Sequence, residues 1–471
     1  MKKIYHILLA LLALSSGCGE FTDLDPKGKN LLGSVTDLDQ LLNYQFSGND
    51  NVLEMIDVSV LVDDQYPIAN HVPNLISAPV KTLRSIWLTW DEQGDRAALT
   101  RSDTKYERCY EIIGQVANPV LLMADAATGD RDMANRLKAE AYVLRAYFHY
   151  LVVNVYAKAY HPATAATDGG VPYVKEHDLL TVPRQKYTVQ KVYDFILEDL
   201  QAAYDLESLP DHPTNAMRVG KAFAYAVEAK VRMSMRDFTG AEAAANRSLA
   251  IQNALEDHRD NLIVGEDDYG DPVDVFDRPE LRAPEDLFYA STTYVLFNAF
   301  TPGLSAAFEE GSIMYNTISK LNIYSDYLYG LEGIDVILAD NVYFNAAGLT
   351  TVDMYLTLAE CKIRSGDVPG AMSILNDTIR AKRIDPYTPL AAANAPEAFA
   401  ILKRVSRTET WFGPKHFINL KRWNTEEAYK ETLRKTLLGV DYELRPDSPL
   451  WIFPFPQNAT GYNPNLTQNY E

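Results

Sequence analysis

Cys18 is the residue whose setting most directly predicts a covalent modification. It follows two lysines, an apolar run over residues 4–14 and three small residues, Ser15, Ser16 and Gly17. A short basic start, an apolar core and small residues before a cleavage point are typical of a secretory signal. A cysteine directly after them predicts that its thiol is lipidated and becomes the mature amino terminus. The alternative is a membrane-spanning helix, but such a helix needs about 20 apolar residues and this run is shorter.

The charge of the chain limits its partners. Its 64 acidic and 44 basic residues give a net charge of −20, and removal of residues 1–17 takes away two lysines and no acid. Nucleic-acid binding needs clustered lysine and arginine side chains that neutralise phosphates, so this composition argues against it. A hydrophobic content of 47% with 11% aromatic residues is sufficient for a globular core and excludes wholesale disorder.

The spacing of apolar residues predicts a mostly helical chain. Apolar side chains recur at steps of three and four between Leu137 and Val155, which places them on one face of a helix. Residues 189–204 repeat this pattern, and Thr188 is the expected N-cap of that helix.

Two segments share a helical-hairpin pattern. Residues 229–241 and 359–371 both end in Asp-x-x-Gly-Ala. In each copy we expect a helix, a tight turn and a second helix that begins at the alanine, spanning 371–382 in the later copy. This is a tetratricopeptide-like unit. We expect such helices over about 105–255 and 350–385.

Three stretches lack helical periodicity. Residues 45–100 and 255–345 are irregular, and the second of them is rich in Asp, Gly, Pro, Tyr and Phe. Prolines recur through the last 30 residues. Residues 440–471 are therefore expected to wrap the surface as extended chain without a helix.

The sequence contains no catalytic or metal-binding pattern that we can identify. The eight histidines are scattered singly, and no HExxH, GxSxG, P-loop or dinucleotide fingerprint is found. We therefore predict a protein that is not an enzyme and that uses no cofactor and no metal. Cys109 and Cys361 lie in helical stretches, where buried inert thiols are expected rather than a disulfide.

Aromatic residues are the remaining candidates for ligand contacts. The chain has 29 Tyr, 17 Phe and 5 Trp. Tyr and Trp combine an apolar ring face with a hydrogen-bonding edge, which suits a sugar ring. Tyrosines in predicted helices are expected to pack in the core, so the candidates come from the irregular stretches. They are Tyr66, Trp87, Trp90, Tyr315, Tyr324 and Tyr327.

Four motifs run along nearly the whole chain. Cys18 is followed by Leu-Asp-Pro at 24–26, and residues 140–151 read EAYVLRAYFHYL. Residues 420–423 read LKRW, and residues 463–469 read NPNLTQN. Together these motifs resemble the SusD-like (RagB/SusD) family of surface nutrient-binding lipoproteins of Bacteroidetes.

The chain departs from the family pattern at two places. Asn419 stands where the family usually has Asp, and residues 411–415 replace a common EGhR segment. The motifs concerned are structural in the family, so the expected consequence is a change in local packing rather than in function.

The resemblance implies a fold and a function. The fold is a mostly α-helical body of four tetratricopeptide-like hairpins with a large, irregular, loop-rich half that binds ligand. The function is that of a non-catalytic lipoprotein on the surface of the cell outer membrane, attached through Cys18. It captures an oligosaccharide and delivers it to a SusC-like TonB-dependent transporter, which it covers as a lid. The same role for peptides, as in the RagB branch, is the alternative; a surface enzyme or a structural adhesin is less favoured.

The predicted domain organisation follows from these readings. Residues 1–17 are the signal peptide, residues 18–30 are an acidic tether, and residues 31–471 form a single SusD-like domain. No nucleic acid is expected among its partners.

Overall fold

The computed structural model of this chain describes residues 32–44, 53, 55–67, 71–178, 181–266, 272–276, 283–291, 298–318, 325–337 and 345–470. The predicted signal peptide, the tether with Cys18, and Tyr324 lie outside the described residues. Within these ranges the α-helices are Val35–Leu42, Ile56–Leu61, Val72–Ser77, Leu83–Thr89, Arg96–Leu99, Thr104–Glu111, Asn118–Met123, Arg131–Tyr156, Val189–Asp205, Lys221–Met235, Phe238–Ile251, His258–Asn261, Pro302–Ser305, Ile313–Thr317, Thr351–Ser365, Val368–Ser373, Ala395–Glu409, Pro414–Trp423 and Gln457–Tyr462. The prediction of a mostly helical chain is confirmed.

Shorter elements complete the description. The π- and 3₁₀-helical segments are Ile112–Ala117, Ser325–Tyr329, Ile374–Ile379, Arg380–Lys382 and Pro449–Trp451. The strands are β1 (Gly169–Pro172), β2 (Lys186–Thr188), β3 (Leu262–Glu266), β4 (Pro272–Phe276), β5 (Asp286–Phe288), β6 (Leu349–Thr350), β7 (Leu433–Leu437) and β8 (Val440–Leu444). They pair antiparallel as β1–β2, β3–β4, β5–β6 and β7–β8, each pair being a two-stranded sheet.

The helix Arg131–Tyr156 is the centre of the helical body. Asp130 caps its start by accepting hydrogen bonds from two backbone N–H groups of the first turn. Helix Val189–Asp205 packs along it, and the hydroxyl of Thr188 accepts from the N–H of Lys191 at 3.3 Å, which confirms the predicted N-cap. Because the long helix is covered on several sides, nearly all of its residues after Ala139 are buried.

The segment before it is a helix interrupted by a π-helical stretch. Thr104–Glu111 runs through the π-helix Ile112–Ala117 into Asn118–Met123. Pro119 lies in the first turn of that last helix and has no N–H to donate to the preceding turn. Single-turn π-helical stretches of this kind occur as bulges within α-helices.

The two predicted hairpins are present and share one turn chemistry. Asp237 Oδ1 accepts from the N–H of Gly240 at 2.9 Å, and Asp367 Oδ1 accepts from Gly370 in the same way. A Cβ at either glycine would lie 2.2 Å from a carboxylate oxygen of the aspartate, so a side chain there would displace the aspartate from its capping position. The two hairpins contact each other through helices Phe238–Ile251 and Thr351–Ser365.

The second helix of the later hairpin differs from the prediction. A continuous helix over 371–382 was expected, but Val368–Ser373 passes into the π-helix Ile374–Ile379 and a 3₁₀ turn. Within this stretch the side-chain amide of Asn376 bonds to both backbone groups of Leu390. Asn376 of the π-helix is thus hydrogen-bonded to the loop that contains Leu390.

The carboxyl-terminal residues are mostly extended, but the prediction of no helix there is wrong. Gln457–Tyr462 is a short α-helix. Pro456 precedes it and Pro464 follows it, so six consecutive residues are free of the restriction that proline imposes. The remainder of the segment contains strand β8 and the 3₁₀ turn Pro449–Trp451.

The main hydrophobic core draws side chains from Val35 to Leu466. A second, smaller cluster packs Phe300 of the irregular stretch 255–345 against Trp411 and Phe412, which lie between two helices. Cys109 and Cys361 are both buried free thiols, as predicted, and burial raises the pKa of Cys361 to about 12.

The division of the chain into residues 1–17, 18–30 and 31–471 stays a prediction.

Candidate functional site

The candidate site lies around Trp90, one of the predicted ligand contacts. Trp90 directly follows helix Leu83–Thr89, whose start is fixed by a reciprocal cap between Thr82 and Ser85. Its backbone is left-handed, with φ at 50°, a conformation that costs energy for a bulky residue. The indole N–H donates to the carbonyl of Leu61 at 2.8 Å, so tertiary contacts hold the ring in this place.

A buried ion pair lies against the Trp90 ring. Lys435 Nζ is 4.0 Å from the ring centroid and 3.4 Å from Oδ1 of Asp63. Burial lowers the pKa of Lys435 and raises the pKa of Asp63, while the attraction between the two charges counteracts both shifts. The contact of the ammonium with the ring adds a favourable cation–π interaction. Trp90 is 5% exposed, so it is a fixed part of the groove wall, and only a small part of its ring reaches the groove.

Trp90 lines an open groove of about 540 Å³. One wall comes from residues 76–93, and the other comes from strand β8 and Arg445, which follows it. We call this the Trp90 groove. Its lining residues are Ile76, Ala78, Lys81, Ser85, Thr89, Trp90, Asp91, Glu92, Gln93, Tyr442, Glu443 and Arg445.

The polar side chains of the groove carry both signs of charge. Lys81 donates a short hydrogen bond to Asp91, and Arg445 lies 3.4 Å from Glu92. Burial raises the pKa of Asp91, but its hydrogen bonds from Lys81 and from the backbone of Gln93 outweigh burial, and the net pKa is lowered. The groove thus combines two aromatic residues with several charged donors and acceptors, which can bind hydroxyl groups in fixed directions.

Three other predicted contacts lie elsewhere in the irregular half. Tyr66 is 5% exposed and its ring lies 6.2 Å from that of Tyr329. Tyr315 is half-buried, stacks on Phe308 at 4.6 Å and donates its hydroxyl hydrogen to Asp335. Tyr327 is 80% exposed. None of these three tyrosines is among the described lining residues of the Trp90 groove.

Trp87 is placed in the core. It is 1% exposed, and its ring lies 4.5 Å from that of Phe453. It borders a separate cavity of about 140 Å³, together with Asp103 and Lys105. At 1% exposure Trp87 offers almost no ring surface to a sugar, and its role as a ligand contact stays a prediction.

We expect Trp87→Phe to affect stability and leave ligand affinity unchanged. The smaller ring keeps the contact with Phe453 but loses part of the buried indole, which should lower the free energy of unfolding by about 1–2 kcal/mol. Urea unfolding and calorimetric titration with a bound oligosaccharide measure the two effects. A loss of affinity in a fully folded variant would return Trp87 to the ligand site.

Sequence reasoning missed Tyr442, Arg445 and Lys81. Tyr442 and Arg445 come from the carboxyl-terminal hairpin, about 350 residues from Trp90 in sequence. The only local signal is the alternation Val440, Tyr442, Leu444, which is typical of a strand with one face covered. That pattern identifies the strand but not the groove that it borders.

Two further observations concern the described residues alone. No group of three or more His, Cys, Asp or Glu side chains there is arranged to hold a metal ion. No helix in the described ranges is both long and apolar enough to cross a membrane.

The sequence matches two family profiles in two separate parts of the chain, which are divided by residues 234–350. Residues 49–233 match SusD-like proteins described as "Starch-binding associating with outer membrane", and residues 351–471 match the SusD family. Together the matches cover more than half of the chain. This chain belongs to the SusD-like family. No curated protein matches it in sequence.

Solved SusD-like structures share the fold over almost the whole length. A SusD superfamily protein from Bacteroides thetaiotaomicron has 15% identity and a TM-score of 0.67, covering 93% of this chain and 99% of that one. Surface glycan-binding protein A from Bacteroides uniformis has the same identity and TM-score, covering 93% and 100%. A SusD-like carbohydrate binding protein from Bacteroides vulgatus has 15% identity and a TM-score of 0.64, covering 92% and 97%.

Side chains of the SusD-like motifs form hydrogen bonds that connect one helix to another. In the motif at 140–151, Arg145 binds Asp199 through two hydrogen bonds of 2.7 Å. In the motif at 420–423, Lys421 donates to the carbonyls of Asn154 and Ala157, at the end of the long helix. A cation at a helix carboxyl end is favourable because it meets unsatisfied carbonyl groups.

The departures from the SusD-like pattern are accommodated in the core. Asn419 donates from its amide to Ser406 Oγ at 3.3 Å. In the replaced segment, a Cβ at Gly413 would lie 2.2 Å from the carbonyl oxygen of Ala346, so only glycine fits there. Just after it, His416 Nδ1 lies 2.8 Å from Asp64 Oδ2.

Proposed function

We propose that this SusD-like protein binds an oligosaccharide in the Trp90 groove. The observation that carries the proposal is the combination of Trp90 and Tyr442 with paired, solvent-accessible charges in one open groove. Sugars present an apolar C–H face and a ring of hydroxyl groups, so they require an aromatic surface next to donors and acceptors. The names of two structural neighbours, a surface glycan-binding protein and a carbohydrate binding protein, support this ligand class.

We further propose that the protein acts as a surface lipoprotein in nutrient uptake. Cys18 would carry the lipid anchor in the outer membrane, and a SusC-like TonB-dependent transporter would receive the ligand. The description of the matched family as associating with the outer membrane supports the location. The role is delivery rather than turnover, and a lid that covers the transporter would release an unchanged oligosaccharide into it.

The test of ligand class is a binding screen with the purified chain. The panel contains starch, xylan, mannan, pectin and host glycans, together with a tryptic peptide mixture, and hits are followed by calorimetry. Binding of at least one glycan without its hydrolysis is the expected result. Binding of peptides alone would overturn the glycan proposal, and release of shorter products would indicate an enzyme.

Variants at the groove test its location. We expect Trp90→Ala and Tyr442→Ala each to weaken binding of the selected glycan by about 1–3 kcal/mol, since each removes aromatic contact area. Because Trp90 also packs on Lys435, Tyr442→Ala is the cleaner variant for folding. Tyr462→Ala is the matched control, because Tyr462 is 89% exposed and does not border the groove. Equal affinity of the Tyr442 and Tyr462 variants would remove the groove as the site.

A specific feature supports the peptide alternative. Strand β8 pairs only with β7 in a two-stranded sheet, so within the described residues its other edge has no paired strand. Glu443 lies on β8 and borders the groove. An extended peptide could add to such an edge through backbone hydrogen bonds. The peptide arm of the screen decides between the two ligand classes.

A further inference from the structure

Three surface depressions adjoin at residues 445–447. The Trp90 groove includes Arg445, and a middle depression of about 490 Å³ includes Arg445, Pro446 and Asp447. A third depression of about 450 Å³ includes Pro446 and Asp447. Each volume lies within the range of ligand sites. The shared residues make the three depressions neighbours around a single short segment.

The third depression repeats the chemistry of the Trp90 groove. It is bordered by Trp451 and Tyr470, and the indole N–H of Trp451 donates to the carbonyl of Arg445 at 2.9 Å. The Arg96 guanidinium lies 3.9 Å from the Tyr470 ring centroid and helps to fix that ring. A Lys158–Asp168 ion pair of 2.9 Å supplies charged donors and acceptors at its rim.

The middle depression is different because no aromatic residue is among its described lining residues. These are Asn424, Thr425, Glu427, Lys430, Glu431, Thr432, Arg445, Pro446 and Asp447. Arg445 is the residue it shares with the Trp90 groove. Its side chain is 54% exposed and lies 3.4 Å from Glu92 on one side and 3.6 Å from Asp447 on the other. Its guanidinium therefore lies between two carboxylates while N–H groups stay open to solvent.

We propose that the three depressions form one extended cleft for an oligosaccharide chain. The oligosaccharide would contact Tyr442 and the small accessible part of Trp90 at one end, and Tyr470 and the small accessible part of Trp451 at the other. Arg445 would donate hydrogen bonds to the hydroxyl groups of the units that cross between them. This proposal rests on the glycan binding proposed above, and it adds a second aromatic subsite and a minimum ligand length.

We expect affinity to depend on the length of the oligosaccharide, because a longer one connects the two aromatic subsites. A short oligosaccharide can occupy only one aromatic end, whereas a longer one engages the second end at a high effective concentration. Affinity is therefore expected to rise with chain length until both ends are occupied and then to level off. A single-subsite groove would give the same affinity for every chain that fills it.

The experiment uses the full chain labelled with 5-fluorotryptophan. Its five tryptophans give five ¹⁹F resonances, assigned by single Trp→Phe variants. The probe is a size-fractionated ladder of oligosaccharides from the glycan selected in the screen. Short oligosaccharides should shift each of the Trp90 and Trp451 resonances with low affinity, and longer ones should shift both in one step of higher affinity. We expect at least about a tenfold gain in affinity at the length where the two resonances respond together.

Arg445→Gln tests the proposed contact of Arg445 with the sugar units between the two aromatic ends. It should weaken binding of the long oligosaccharides by about tenfold and leave the shortest binders nearly unchanged. Arg434→Gln is the matched control, because Arg434 lies on the same hairpin, is 70% exposed and is not a lining residue of the three depressions.

The outcomes separate the two proposals. If glycan binds but only Trp90 shifts at every length, the extended cleft is overturned and the glycan proposal stands. If both resonances shift but affinity does not rise with length, the two ends bind independently and the cleft is again overturned. If no glycan in the panel binds and no resonance moves, both proposals fail.

Discussion

Glu360→Gln is expected to lower the free energy of unfolding by about 3–5 kcal/mol, because it leaves buried cations without their counter-charge. Glu360 is 3% exposed and accepts two hydrogen bonds from Arg422, at 2.7 and 2.6 Å. It also accepts from Arg364 at 2.8 Å and from the Trp423 indole at 3.2 Å. Glutamine has nearly the same shape but no charge, so the packing is kept while the electrostatic partner is lost.

The protonation state of Glu360 agrees with this expectation. Burial raises its pKa, but Arg422 and Arg364 outweigh burial and lower the pKa to about 2. The carboxylate therefore stays ionised, and its stabilisation is lost only as the pH falls from its unfolded value near 4.5 towards 2.

Urea unfolding at neutral pH measures the effect. Glu427→Gln is the matched control, since Glu427 pairs with Lys430 at 2.7 Å but its side chain is 87% exposed. An exposed pair contributes little, so this control should change stability by less than about 0.5 kcal/mol. Equal effects of the two substitutions would contradict the expectation that removing the buried charge of Glu360 is costly.

Acidification is expected to destabilise the protein through His149, by about 2–3 kcal/mol between neutral pH and pH 4.5. Burial lowers the pKa of His149 from 6.5 to about 3. Nδ1 lies 2.8 Å from the carbonyl oxygen of Arg145, and the N–H of Val174 donates to Nε2 at 3.0 Å. The ring is thus neutral with Nδ1 as its donor, and a proton added at Nε2 would face another donor.

The direction follows from proton binding. Between pH 6.5 and 3 the unfolded chain binds a proton at His149 and the folded chain does not. Stability therefore rises with pH across this window and is lost as the pH falls through it. The window from 6.5 to 4.5 separates this effect from most carboxylate titrations.

Comparison of pH profiles isolates the contribution. His149→Phe removes the titrating group, so its stability should depend much less on pH between 6.5 and 4.5, whatever its absolute value. His212→Gln, at an exposed position, should give a profile parallel to that of the unaltered chain. Parallel profiles for all three proteins would show that His149 is not held neutral by the fold.

The parts of the fold that depend on neighbouring residues could be predicted from the sequence. The Thr188 cap and the Asp237–Gly240 turn are local hydrogen bonds, and their sequence patterns specify them. The number of prolines in the whole segment does not reveal helix Gln457–Tyr462, because a short helix needs only a few residues free of proline. The end of the α-helix at Ser373 is not predictable from helical periodicity, because it accompanies hydrogen bonds between Asn376 and the distant Leu390.

The site was predictable only in part for a similar reason. Trp87 and Trp90 are three residues apart and look equivalent in sequence. Trp87 lies within the helix and faces Phe453, while Trp90 follows the helix end and borders the groove. The opposite wall comes from strand β8, and the position of that hairpin against residues 76–93 is set by tertiary contacts such as that of Lys435 with Asp63.

The joins between the two profile-matched parts have a consequence for how this family can diversify. Phe453 N–H donates to the carbonyl of Val155 at 3.1 Å, and Asn469 donates to the carbonyls of Tyr156 and Gly170 at 2.8 Å. Like the Lys421 cap, these bonds connect the early helices directly to the end of the chain. The segment 255–345 takes no part in them. Strand β5 and Phe288 tie part of that segment to the main core, so we expect changes of length outside β5 to leave the joined frame unchanged.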